Sequence, residues 1–195
     1  MIDKDKMRPL LYDEYCAELS ASLSTVTQGE IDAAILKIVE TVKSENMIWI
    51  IGNGGSSATA SHFAADLMRP IKSNCRVRAS SLSENSIRVT AIGNDFGFEN
   101  IFSYQLENLA KPGDLLVILS ASGKSLNLLN AIHCANSLEI GTFSMVGFDG
   151  GFLKDSTDLC LHFRTKKGAY EIAEDCHSLT SHYLAKSVRQ SLEFL

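Results

Sequence analysis

Trp49-Ile50-Ile51-Gly52-Asn53-Gly54-Gly55-Ser56-Ser57-Ala58-Thr59-Ala60-Ser61-His62-Phe63-Ala64-Ala65-Asp66-Leu67-Met68 is the stretch from which the fold is read. The apolar run from Met47 to Ile51 has the length and β-branching of a buried strand. It breaks at Gly52-Asn53-Gly54-Gly55, a cluster suited to a sharp turn or to close approach of another group to the backbone. Ser56 and Ser57 then open a helix, and Ala58 to Met68 is good helix material. A strand, a glycine turn and a helix start bring together free N–H groups and the positive end of the helix dipole. Such a place binds anions, phosphate above all. The same helix carries His62 and Asp66, an i,i+4 pair on one face, which reads either as part of a site or as a surface pair. The turn is not a dinucleotide fingerprint, because Ser57 stands where that motif needs its third glycine.

Outward from this element, the chain alternates. Leu11, Tyr15, Leu19 and Leu23 have helical spacing within Leu10 to Leu23. Thr27-Gln28-Gly29-Glu30 has the form of a capping box and opens a second helix, with Ile31, Ile35, Ile38, Val39 and Val42 inward. These two helices, within residues 1–46, are free to pack on the sheet or on another subunit. After the central element, Arg76 to Leu82 reads as a strand, Ser86 to Ile92 as a short helix, and Gly93 to Gly97 as a turn. Phe98 to Leu109 reads as a helix. Leu115 to Leu119 is an uninterrupted apolar strand that belongs mid-sheet. A helix from Leu126 to Ser137, strands at Thr142–Gly147 and Asp158–Phe163, and a long helix from Tyr170 to Leu192 complete the chain. Five strands alternating with helices predict a doubly wound parallel sheet, whose ligands bind outside the carboxyl ends of the strands. No internal repeat or linker is visible, so residues 1–195 are expected to form one domain.

Bulk properties exclude several classes. The 195 residues are 45% hydrophobic and 21% charged, ordinary for a soluble globular chain. A net charge of −5 and the lack of a basic stripe argue against nucleic acid. No apolar run is long enough to span a membrane, and Met1–Lys6 is charged rather than leader-like. Five widely spaced cysteines without a C-x-x-C read as reduced thiols in a cytoplasmic protein.

Two further stretches carry chemistry. Ser120-Ala121-Ser122-Gly123-Lys124-Ser125 repeats the arrangement of the first turn: apolar strand, small polar loop, helix. It is not a P-loop, since Ile118 stands where that motif needs glycine. Serine hydroxyls and N–H groups from two neighbouring strand ends suit one phosphate, although each serine also has the character of a helix cap. On the last helix, Glu174, Ser178 and His182 share a face with Glu171, at about 100° per residue. Carboxylate and histidine are metal-ligand types, and His62 with Asp66 would complete a site. A solvated acidic stripe has the same pattern. His177 points elsewhere, and His133 and His162 stand without partners.

Together these segments resemble the sugar isomerase (SIS) family, specifically the phosphoheptose isomerases, which act on sedoheptulose 7-phosphate. The resemblance rests on Gly52-Asn53-Gly54-Gly55-Ser56 with His62 and Asp66, on Gly93-Asn94-Asp95-Phe96-Gly97-Phe98, on Ser120-x-Ser122-Gly123-x-Ser125, and on Glu174-Asp175-x-His177-x4-His182. It implies a three-layer α/β/α, flavodoxin-like fold with a five-stranded parallel sheet, and a homotetramer with sites at subunit interfaces. It implies phosphate held by Ser56, Ser120, Ser122 and Ser125, and a sugar site lined by Asn53, Gly54, Asp95 and Glu174. It also implies zinc or another divalent metal on His62, Asp66, Glu174 and His182, with Asp66 as catalytic base and His182 as acid. The chain departs from the family pattern in four places: aspartate for glutamate at 66, glutamate for glutamine at 174, and Ala121 and Lys124 for threonine and asparagine. The activity implied is aldose–ketose isomerisation of a phosphosugar through an enediol. The competing expectations are an isomerase for another phosphosugar, and a non-catalytic SIS module that binds a sugar phosphate or a protein partner.

Overall fold

Six consecutive buried residues put β3 (Leu115–Ser120) in the middle of the sheet. Its side chains divide by parity, as a strand's must: Leu115, Val117 and Leu119 enter one core, Leu116 and Ile118 the other. β1 (Met47–Gly52) divides likewise, with Ile48 and Ile50 on one face and Trp49 and Ile51 on the other. Apolar side chains on both faces require cover on both faces, and that produces three layers. The computed structural model describes residues 10–71 and 75–194; the stretch Met1–Lys6 lies outside them.

With β2 (Arg78–Ser81), β4 (Gly141–Val146) and β5 (Leu159–His162), the sheet has the order β2-β1-β3-β4-β5, parallel throughout. This is the flavodoxin-like order, and its topological switch point lies between β1 and β3. One face is covered by α2 (Gln28–Lys43), α3 (Gly55–Leu67) and α7 (Tyr170–Glu193), which supply Ile38, Phe63 and Leu184 among others. The other is covered by α4 (Ser86–Phe96), α5 (Ser103–Leu109) and α6 (Leu126–Ser137), through Ile92, Leu106 and Ile132. α1 (Tyr12–Leu23) lies against α7, where the Tyr15 hydroxyl donates to Asp175 at 2.7 Å. The two leading helices therefore pack on their own chain, while Leu11 and Tyr12 stay exposed. The capping box at Thr27 and Glu30 is formed, with both reciprocal hydrogen bonds.

Three boundaries differ from expectation. α4 does not stop at Ile92 but runs through Gly93 to Phe96. An interior glycine costs a helix about 1 kcal/mol relative to alanine without ending it; the chain turns only at Gly97, where φ is 91°. The expected helix from Phe98 is a 3₁₀ turn (Phe98–Asn100) followed by the shorter α5. Here the Asn100 amide donates to the Phe96 carbonyl at 2.7 Å, a local bond that competes with regular helix. β2 is shorter than Arg76–Leu82, as befits an edge strand paired only with β1.

Asp114, buried just before β3, ties the strand entries together. Its carboxylate accepts from the Met47 N–H at 2.8 Å, the Trp49 indole at 2.9 Å and the Lys111 N–H at 3.0 Å. Asp114→Ala would leave these donors without their acceptor, and we expect it to cost about 3 kcal/mol. Urea unfolding, with the slope unchanged and the midpoint lowered, checks this.

Candidate active site

Residue pairing brings the two polar loops together. Gly52 at the end of β1 is in register with Leu119 of β3, so Asn53 and Ser120 emerge side by side. Both following helices begin without a side-chain cap: Gly54 precedes α3 and Ser125 precedes α6, and neither supplies a capping side-chain bond. The first N–H groups of a helix have no intrahelical partner, so two donor-rich, positively polarised helix ends face one cleft. The serines are not simply caps.

That cleft, of about 90 Å³, is lined by Asn53, Ser56, Ser120, Ser122, Ser125, Tyr170 and Glu174. Ser56 and Ser120 are buried, and the Ser120 hydroxyl accepts from the Gly123 N–H at 3.0 Å. The second loop is braced from behind. Gly123 has φ of 64°, and a Cβ there would run into the Gly150 carbonyl. The Leu153 N–H donates to the Gly123 carbonyl at 3.2 Å, and Lys124 Nζ to Asp149 at 2.7 Å. Lys124 is therefore held by an aspartate on the loop after β4.

A second centre lies one to two turns along α3. Among the described residues, His62, Asp66 and His182 gather so that one donor atom from each lies within 4.8 Å of the others. Asp66 Oδ2 is 3.6 Å from His62 Nε2 and 3.7 Å from His182 Nε2, while Oδ1 faces Arg69 at 3.8 Å. The histidine side chains are 60% and 51% exposed and the aspartate 16%, so the cluster opens outward from this chain. The Arg189 guanidinium donates to the Asp66 carbonyl at 2.8 Å and pins α7 to this point of α3. Two imidazole nitrogens and a carboxylate oxygen are a donor set that zinc accepts, with a position left for substrate or water.

Two expected residues fall elsewhere. Glu174 lies outside the histidine cluster in this chain's conformation. It lies eight residues before His182, roughly 12 Å along the helix. Its carboxylate instead rests on Gly55 at the start of α3, so closely that a Cβ there would collide with it. Burial first, and then the carboxylates of Glu171 and Asp175, push the Glu174 carboxyl above its usual range. Asp95 is absent from the serine cleft. It stands exposed near the end of α4, accepts from the Asn94 amide at 2.8 Å, and borders an apolar groove with Ile87, Phe96 and Tyr104. Gly54 lines a neighbouring cleft with Asn53, Ser83 and Phe98.

Two residues escaped sequence reasoning. Tyr170 lines the serine cleft, its ring edge-on to Phe148 at 5.0 Å. Asn127, buried in the first turn of α6, exchanges two hydrogen bonds with Asn53, at 3.0 and 2.9 Å. Its only signal was an amide on an otherwise apolar helix face. His177 is fully buried against Phe163, with neither ring nitrogen in a well-formed hydrogen bond. Burial pushes its imidazole down to about 4, which leaves it a neutral core residue.

The similarities of the chain converge. The sequence profile described as SIS domain matches residues 12–147. A phosphoheptose isomerase of Aliarcobacter butzleri is 38% identical over 158 residues, 80% of this chain and 84% of that protein. The structure of a phosphoheptose isomerase from Francisella tularensis superposes with a TM-score of 0.84 at 26% identity, covering 92% of this chain and 95% of that one. For the phosphoheptose isomerase from Neisseria gonorrhoeae the TM-score is 0.81 at 27% identity, with coverage of 91% and 96%.

If the two loops form one anion site, Ser56→Ala and Ser122→Ala should each weaken binding of inorganic phosphate by about 1–3 kcal/mol. Gly123→Ala, which forces strain of roughly 1–3 kcal/mol into the loop, should do the same without removing any hydroxyl. Titration calorimetry reads all three. Unchanged affinity in both serine variants would remove the cleft as a phosphate site.

Proposed function

The chain belongs to the SIS-domain family, and from that premise we propose that it interconverts sedoheptulose 7-phosphate and D-glycero-D-manno-heptose 7-phosphate. The observation that carries this reading is the spacing of two centres on one helix. Ser56 and the serine loop lie at the start of α3, and His62 lies roughly 9 Å further on at about 1.5 Å per residue. An extended sugar phosphate fits that span, its phosphate on the helix ends and its carbonyl end at the histidines. Residues 1–195 act as one domain in this reading, because α7, beyond the matched segment, completes the same core.

Isomerisation moves one proton between C1 and C2 and another between the two oxygens. Asp66 is the base: it removes a proton from C1 of the ketose and returns it to C2. His182 is the acid: it gives a proton to O2 and takes one from O1. His62, Asp66 and His182 would hold zinc or another divalent ion, which when bound supplies a Lewis acid for the substrate oxygens and the enediolate charge. The roles of ligand and base compete at Asp66 unless its coordination changes during turnover. Oδ2 faces both histidines while Oδ1 is turned to Arg69, so an ion held through Oδ2 must loosen its hold during turnover for the carboxylate to act as base. Serine hydroxyls and helix N–H groups fix the phosphate, and that fixes the reacting carbons relative to Asp66. Glu174, level with the phosphate, is suited to accept from a sugar hydroxyl rather than to bind metal.

The active form is an oligomer, with a tetramer as the expected state. Its support is the outward-facing histidine pair, together with exposed Phe96, Phe98, Tyr104 and Ile87 around the Asp95 groove. Asp95 would reach a sugar site only across such an interface. Light scattering should give a mass near four chains at micromolar concentration; a monomer would sink the interface placement.

The direct test is incubation with a panel of ketose phosphates, before and after chelation and after zinc is returned, with elemental analysis of each sample. We expect aldose product from the heptulose phosphate. His182→Ala should lose both metal and turnover, whereas Glu174→Gln should keep its metal and much of its turnover. Preference for another ketose phosphate would reassign the substrate, and inactivity on every one would leave a binding module. Full activity without metal would confine the three residues to proton transfer.

A further inference from the structure

We infer that Asn127 is a positioning residue: it keeps the Asn53 carboxamide from turning by itself and so holds it in place for the substrate. The inference rests on the reading above in one respect, that Asn53 meets the sugar.

The geometry is a closed ring of two amides. Asn53 Nδ2 donates to Asn127 Oδ1 at 3.0 Å, and Asn127 Nδ2 donates to Asn53 Oδ1 at 2.9 Å. Asn53 is the first residue after β1, half-buried and on the wall of the serine cleft. Asn127 is only 2% exposed and lies on α6, away from the cleft lining. A carboxamide beside a ligand can rotate so that its N–H₂ and oxygen exchange places, and each orientation recognises a different group. Against a reciprocal partner, turning one amide alone would set oxygen against oxygen and N–H₂ against N–H₂ and lose both bonds, so Asn53 can exchange its two ends only if Asn127 turns with it. Each amide has two N–H groups and two lone pairs. The ring occupies one of each, so Asn53 keeps one N–H and one acceptor position free for a ligand, in a plane that Asn127 fixes. That suits a carbon chain on which carbonyl and hydroxyl oxygens alternate as acceptors and donors.

A buried amide could instead only tether the two loops or fill space, and these roles separate by experiment. Asn53→Ala, Asn127→Ala and the double variant form a thermodynamic cycle in kcat/KM for the ketose phosphate turned over by the parent protein. Asn127→Leu keeps the volume without the polar atoms. Inorganic phosphate affinity is measured for all, because a tether between the loops would be felt there.

We expect Asn127→Ala and Asn127→Leu each to lower kcat/KM by about tenfold, the scale of one lost hydrogen bond. Phosphate affinity should stay near the parent value. In the Asn53→Ala background, removing Asn127 should cost nothing further, since it has no other amide to hold. Additive losses, restoration of activity by leucine, or a parallel fall in phosphate affinity would each overturn the inference. An Asn53→Ala variant as active as the parent would overturn it too, while leaving the isomerase reading intact. A parent protein inactive on every ketose phosphate would overturn that reading. The pair is then judged on the order parameter of the Asn53 side-chain N–H₂ group: a clear fall in Asn127→Leu, which reports freer turning of the carboxamide about Cβ–Cγ, supports the lock, and an unchanged order parameter overturns it.

Discussion

Everything in the site depends on β1 and β3 being neighbours that end at the same level. Their pairing, Gly52 opposite Leu119, is a consequence of the 2-1-3-4-5 order. The connections leaving β1 and β3 cover opposite faces, α3 on one side and α6 on the other, so a crevice opens between them. Neither helix is capped by a side chain at that crevice. Unsatisfied N–H groups at a helix start are costly unless water or a ligand meets them, and here two such starts share one small space. The serine hydroxyls add donors that rotate to suit an oxyanion.

α3 then acts as a ruler. Its first residue lies under Glu174, and its second and third turns carry His62 and Asp66 against His182 of α7. Because α3 and α7 pack along their lengths, the serine cleft and the histidine cluster are held apart by the rigid rise of the helix. The arrangement also divides the carboxylates. Glu174 is crowded by burial and by its acidic neighbours at the serine cleft, whereas Asp66 is surrounded by two histidines and an arginine. Two acidic residues that look alike in the sequence thus meet opposite electrostatic surroundings.

The family departures at 66, 121, 124 and 174 acquire physical content in this setting. Aspartate at 66 still reaches both histidines, because His182 and His62 lean together with ring centroids 4.8 Å apart. Lys124 has an acidic partner, Asp149, on the adjoining loop. Ala121 is buried with Phe148 and Ala173 in a small apolar cluster and also lines the serine cleft.

Local sequence determined the elements whose signals are local. Apolar runs specified the buried strands β1 and β3, the capping box specified the start of α2, and α6 and α7 were placed almost to the residue. The glycine and serine turns were legible as strand-to-helix turns because the chemistry of a helix start is written in a handful of consecutive residues. The end of α4 was not: glycine both tolerates helix and breaks it, and only the φ of Gly97 distinguishes the two uses. Longer-range relations were decided by the tertiary structure alone. A shared helix face at positions 174 and 182 suggested a common ligand set, but it did not say which residues of α3 each side chain would meet. The meeting of His182 with Asp66, the turning of Glu174 to Gly55 and the pairing of Asn127 with Asn53 all join residues more than 70 positions apart. Their distances are set by how sheet order and helix packing fill space, and no spacing along the chain encodes that.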